Sequence, residues 1–166
     1  MKILETRIDD RLIHGQIVTA WIQATGADAI IVADDNAAGD ALSQSILKMA
    51  TPDSVQLIIK SLSDAAELIK KDKSEVGVLL IVSNASGARK LLESDVKLEK
   101  ITLGNITNKK SGQERKMVLK FIFASEDDAE NLRAISNMGV IITAQTVPND
   151  KAYDVMEIMK KAGFYK

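Results

Sequence analysis

Short apolar runs alternate along the chain with longer stretches whose apolar residues recur every three or four positions. The runs Lys2–Ile8, Ala29–Ala33, Val55–Ile59, Val76–Val82, Ile101–Leu103, Val118–Phe123 and Val140–Ala144 predict buried strands. The stretches Ile13–Ala24, Ala41–Ala50, Asp64–Lys71, Ser86–Leu92, Ala129–Met138 and Tyr153–Lys161 carry helical spacing. Strands of this length separated by helices imply βαβ crossovers, which place helices on both faces of a sheet and bury its strands. The expected fold is therefore α/β: an open, mostly parallel sheet of about seven strands with helices on both faces. One connection departs from the rhythm. Gly104–Lys116 lacks an apolar stripe and reads either as an irregular connection or as a hairpin that turns one edge strand antiparallel. Internal repeats, low-complexity linkers and Pro/Gly-rich boundaries are absent, so residues 1–166 are expected to form a single domain.

The strand ends carry more information than their middles. They run into Asp9-Asp10, Asp34-Asp35, Lys60-Ser61, Ser83-Asn84 and Gly104-Asn105. Open α/β sheets bind ligands outside the carboxyl ends of their strands, so these small and polar residues mark one rim as the working face. Composition narrows what that face meets. With 22 basic and 23 acidic residues the net charge is -1, which argues against nucleic acid or an anionic membrane as partner. No apolar run approaches the ~20 residues a membrane span needs, and no signal-peptide layout opens the chain. The absence of Cys excludes thiol chemistry and fits a reducing, cytoplasmic setting.

The only histidine, His14, lies in Arg7-Ile-Asp-Asp-Arg-Leu-Ile-His14-Gly-Gln16, directly after the first strand. One reading is an ordinary surface or capping histidine. The other is a covalent phosphoryl acceptor. An imidazole is nucleophilic near neutral pH, the Arg11 guanidinium can grip a phosphoryl group, and Asp10 or Asp9 can orient the ring. A helix opening at His14 would also aim free N–H groups and a positive dipole end at an anion on the ring. Leu12, Ile13, Gly15 and Gln16 are the candidates for that phosphate-binding loop, with Gly15 read as a position where a side chain would block the phosphate. Arg7 and Asp9 are candidate rim residues, Arg7 being placed to reach the sheet end or to pair with Asp9. Trp21 and Ile17 read as core. A general-base role is weak because no Ser or Cys neighbours His14, and a metal site is weak because the carboxylates are scattered.

Asp34 and Asp35 invite comparison with the Mg²⁺-binding acids of receiver domains, but those belong after the first strand, and the third strand here ends in Lys60-Ser61. Asp35 and Ser83 are instead expected on the rim. Ser83-Asn84-Ala-Ser-Gly87 resembles an anion-cradling turn without the nucleotide-loop pattern. Lys109, Lys110, Arg115 and Lys116 form the one local basic cluster, read as a solvated loop or a contact for an acidic partner.

The string RIDDRLIHGQ (Arg7–Gln16) with Trp21 closely resembles the signature of the IIB subunit of the mannose/fructose/sorbose family of the bacterial phosphotransferase system. The resemblance continues through Ile30–Asp35, Met49-Ala-Thr-Pro52, Leu103-Gly-Asn-Ile106 and Gly139–Pro148, nearly the whole chain. It implies a phosphoryl carrier: His14 accepts a phosphoryl group from the phosphohistidine of a IIA protein or domain. The group then passes to a sugar entering through the IIC and IID membrane subunits. It also implies Arg11 as the positioned cation, Asp10 as the residue orienting the loop, no metal or other cofactor, and a cytoplasmic protein peripherally associated with its membrane transporter. The chain is expected to be a free-standing IIB. Sugar identity, homo-oligomerisation and the imidazole nitrogen used stay open. Two other classes stay open beside it: a regulator that uses phospho-His14 as a signal, and an α/β ligand-binding module in which His14 is structural.

Overall fold

The computed structural model describes residues 1–108, 112 and 114–166, with Gln16 and Ile17 described by their backbone alone. In chain order the elements are β1 (Lys2–Asp9), α1 (Gly15–Thr25), β2 (Ala29–Ala33), α2 (Asp35–Gly39) and α3 (Ala41–Ala50). Then follow β3 (Gln56–Lys60), α4 (Leu62–Lys71), β4 (Gly77–Val82), α5 (Ala85–Glu93) and β5 (Lys100–Asn105). The chain closes with β6 (Lys116–Leu119), β7 (Ile122–Ala124), α6 (Glu126–Asn137), β8 (Ile141–Ala144), β9 (Tyr153–Asp154) and α7 (Val155–Lys161).

Seven strands form one sheet in the order β3-β2-β4-β1-β5-β8-β9. Every pairing in it is parallel except β8 with β9. The physical reason is visible in β2 and β4, whose residues are buried without exception. Strands apolar on both faces need cover on both. Ile30, Val32, Leu79 and Ile81 pack with Val18, Trp21 and Leu47 from α1 and α3. The alternate residues Ile31, Leu80 and Val82 turn the other way, into a core shared with α4, α5, α6 and α7. This pleat alternation splits the interior into two layers around β4 and β1. No helix among the described residues is long and apolar enough to cross a membrane.

The α/β expectation holds, and the differences are instructive. Val118–Phe123 is not one strand. Its chain reverses at Lys120-Phe121, so Leu119 faces Ile122 in a separate antiparallel pair, β6 with β7. The near-continuous apolar run hid that turn, which contains no Gly, Pro or Asn. The hairpin hangs on the end of β5 through Ile106, which donates its N–H to Phe121 O and accepts from Phe123 N. The antiparallel edge strand is β9 instead. Tyr153 and Asp154 were expected in the last helix; they pair with Ala144 and Thr143, and Asp154 then caps α7 through Glu157 N. Helix α6 starts three residues before its apolar stripe because Ser125 and Asp128 form a reciprocal capping box there.

Candidate functional site

The loop between β1 and α1 is built around Asp9, whose side chain is fully buried. Its Oδ2 accepts from Arg7 Nε at 3.3 Å, Arg7 Nη2 at 3.2 Å and a ring nitrogen of His14, Nε2, at 2.9 Å. Its Oδ1 accepts from the Arg11 backbone N–H at 3.1 Å. The next carboxylate faces the other way. Asp10 accepts from Asn105 Nδ2 at 2.6 Å and from the N–H and hydroxyl of Thr107 at 2.7 and 2.8 Å, tying the loop to the segment after β5. Two adjacent acids thus clamp one loop from opposite sides. With Nε2 turned toward a carboxylate that only accepts, the neutral ring holds its proton there and leaves Nδ1 as the bare nitrogen.

His14 is the N-cap of α1, in extended conformation, and its side chain makes no capping bond. The other six described helices are all capped, by Asp34, Asp40, Ser61, Asn84, Ser125 and Asp154. The first-turn amides of α1 therefore lack the side-chain acceptor that every other described helix start has, directly beside the imidazole. Arg11 lies at the same mouth with its side chain about half exposed and Nε 4.0 Å from Asp9 Oδ1. Leu12 adopts the left-handed conformation at φ 58° and Gly15 at φ 41°.

Several expectations need correction. Leu12 is not a free cradle amide, because its N–H already bonds Asp9 O at 3.0 Å. A Cβ at Gly15 meets no protein atom within 4 Å, so the protein itself asks there for a backbone angle, and the expected room for a phosphate is a separate requirement. Arg7 and Asp9 are not rim residues: at 1 % and 0 % exposure they lie beneath the loop. Ile13 is buried core, and the side chain of Gln16 lies outside the described features. Trp21 is core as expected, but its ring also lies 5.3 Å from the Arg7 guanidinium carbon and its Nε1 donates to Thr146 O.

Asp35 and Ser83 lie apart from the His14 ring, in a cleft of about 370 Å³ whose lining also includes Asp10, Asp34, Lys90 and Arg115. Asp35 is exposed and accepts from Leu62 N at 2.8 Å, while the buried Ser83 hydroxyl donates to Asp34, the cap of α2. Asp10 belongs to both the histidine loop and this cleft. Of the basic cluster, Lys109 and Lys110 lie outside the described residues. Arg115 is no solvated loop residue, since it donates to Thr107 O and Phe123 O and faces Asp128 at 3.7 Å. No group of three or more His, Asp or Glu suited to hold a metal ion occurs among the described residues.

Sequence reasoning missed the roles of Gly104, Asn105, Thr107 and Gln145. Arg7 Nη1 donates to Gln145 O at 3.1 Å across 138 residues of chain, a contact no local pattern announces. Gly104 carried a signal, since a glycine inside a strand often marks close approach by another group. Burial pushes Arg7 below its ordinary range while Asp9 and Glu5 push it back, and burial raises Glu5 despite the hydroxyl of Thr102 donating to it.

A family model described as PTS system sorbose subfamily IIB component matches residues 3–166. The fructose-specific EIIB component of Bacillus subtilis is 30 % identical over 161 residues, covering 96 % of this chain and 97 % of that protein. The mannose-specific EIIAB component of Escherichia coli is 26 % identical over 156 residues, covering 93 % of this chain and 47 % of that longer protein. The crystal structure of the IIBSor domain of the sorbose permease from Klebsiella pneumoniae has the same fold, with a TM-score of 0.92, 23 % identity and 99 % of both chains covered.

Proposed function

The chain belongs to the sorbose subfamily of phosphotransferase-system IIB components, which makes it a phosphotransferase of sugar uptake, and from that premise we propose that His14 is its phosphoryl carrier. The supporting observation is the fixed ring: His14 Nε2 lies 2.9 Å from the buried Asp9 carboxylate, at the start of the one described helix without a side-chain cap. Nδ1 is then the nucleophile. It attacks the phosphorus of a IIA phosphohistidine in line; the donor's P–N bond breaks and the donor ring recovers its lone pair. As the new bond forms, positive charge develops on the His14 ring, and Asp9 stabilises it through Nε2–H. In the second transfer a sugar hydroxyl attacks the same phosphorus, the P–Nδ1 bond breaks, and the hydroxyl proton is released.

The chain's other residues supply placement and charge. Arg11 is placed to meet the equatorial oxygens as the mobile cation of the loop. The first-turn amides at Gly15 and Gln16, with the dipole of α1, offer further donors. Asp10 holds the loop on β5 and leaves the chemistry to its neighbours. The mannose-specific relative is named as an EIIAB component, a form that unites the two activities in one protein. A IIA protein or domain docks over the rim as donor, as do the IIC and IID membrane subunits in turn, at the cytoplasmic face of the membrane. Sugar choice resides largely in those subunits.

Incubation with the upstream relay and labelled phosphoenolpyruvate, followed by mass spectrometry, tests this directly. One phosphoryl group on His14 is expected, with none in His14→Ala and with the Nδ1 isomer recovered. A label on Asp34, Asp35 or Ser83 overturns the assignment.

A further inference from the structure

Arg7 is the largest polar side chain in the core, 1 % exposed, yet it does not reach the cleft or the solvent. Its guanidinium lies flat across β5 at Gly104, where a Cβ would overlap its Cζ and Nη2. The indole of Trp21 closes a second side of the slot, and Gln145 O takes one N–H at its end. Of its other N–H groups, Nε–H and one on Nη2 point at Asp9 Oδ2, the oxygen that also takes the His14 ring. Burying a guanidinium this thoroughly is costly even when it is paired, and a packed apolar side chain of similar volume is often at least as stable, which points to a task for the charge.

We propose that Arg7, seated in a slot that glycine at 104 leaves open, is a positioning residue that holds and partly neutralises Asp9 so that His14 presents Nδ1 from a neutral ring. This rests on His14 being the phosphoryl acceptor. A buried carboxylate whose cation-forming partner is an imidazole draws a proton onto that imidazole, and an imidazolium has no lone pair with which to attack phosphorus. Arg7 supplies the countercharge first. Asp9 then orients the ring without capturing it, and it still has the capacity to stabilise the charge that phosphorylation creates. The other ionisable groups near the pair do not substitute. Arg11 is half exposed, with Nε 4.0 Å from Asp9 Oδ1; Glu5 is acidic; and Asp10 is engaged by Asn105 and Thr107. From β5, α1 and the segment after β8, the facing groups are Thr102, Gly104, Trp21 and Gln145, all uncharged.

A chain with one histidine and one tryptophan reports on itself. The ¹⁵N spectrum of the imidazole, titrated with pH in the free protein, should show the Nε2–H tautomer in the parent. In Arg7→Met the imidazolium should persist to higher pH by about one to three pH units, the range one lost neighbouring charge gives. The acid limb of the rate of phosphoryl uptake should move with it. Gly104→Ala expels the guanidinium without altering residue 7 and should shift both profiles the same way. Arg7→Lys, which restores charge without the fork, should fall between. Near-ultraviolet dichroism of Trp21 checks that each variant retains its packing. Unchanged midpoints in both Arg7→Met and Gly104→Ala overturn the proposal, as does an Nδ1–H tautomer in the parent. If the parent takes no label, the acceptor reading fails, while the imidazole titration still decides the role of Arg7.

Discussion

Replacing Asp9 by Asn isolates the charge at the centre of the loop. The amide is nearly isosteric, but it offers one acceptor oxygen where the carboxylate offers two, and both are engaged. Either Arg7 and His14 or the Arg11 N–H must then face an NH₂ group, and Arg7 loses its countercharge while 1 % exposed. Breaking a buried ion pair from one side costs about 3–5 kcal/mol. The low end applies here, since Gln145 O and the Trp21 ring still hold the guanidinium. A loss of about 3 kcal/mol lowers Tm by about 6–12 °C in a domain of this size. The decisive assay is a double-mutant cycle by urea unfolding with Asp9→Asn, Arg7→Met and the pair together. The double variant removes both charges at once, so it should cost less than the sum of the singles by about 2 kcal/mol or more. Additivity within about 0.5 kcal/mol would show that the two side chains do not stabilise each other.

Arg11→Ala should slow phosphoryl uptake or release by about 10²–10³-fold, the scale of a lost transition-state donor, with an unfolding midpoint close to the parent's because its side chain is half exposed; parent rates in both directions remove it from the mechanism. Gly15→Ala should cost about 1 kcal/mol through its φ of 41° while uptake persists, since its Cβ points into open space; unchanged stability with abolished uptake would restore the steric reading. Glu5 has its carboxyl raised by burial, so in the folded state it keeps its proton to higher pH than when unfolded. Stability attributable to Glu5 is present at low pH and is lost as pH rises through its folded-state value, so Glu5→Gln should gain on the parent toward neutral pH and match it below about pH 4; a difference independent of pH contradicts this.

What could be read along the chain followed from local periodicity. The unbroken apolar runs at Ala29–Ala33 and Val76–Val82 require cover on both faces, and the helical spacings between strands supply it. The HGQ step after a strand placed His14 at a helix start for the same reason. Where periodicity was silent, the expectation failed: a turn lies inside Val118–Phe123, and the antiparallel edge sits at Tyr153-Asp154. The Lys120-Phe121 turn has no Gly, Pro or Asn to mark it, and Tyr153-Asp154 leave the helical pattern that follows them because they pair with Ala144 and Thr143 beyond the Pro148-Asn149-Asp150 turn.

The same division runs through the site. The cluster of Arg, Asp and His between residues 7 and 14 was determined by sequence alone, because its members are neighbours along the chain. Their division of labour was not. Asp9 and Asp10 are chemically identical and adjacent, and only the sheet separates them: the pleat turns Asp9 inward toward Arg7 and His14, while Asn105 and Thr107 draw Asp10 outward. Arg7 became a buried partner of the loop because Gly104 of β5 leaves room for its guanidinium and Gln145 O, just after β8, accepts a hydrogen bond from it. Chemistry that depends on residue type and spacing is written in the chain, whereas desolvation and countercharge belong to whichever groups the fold brings alongside.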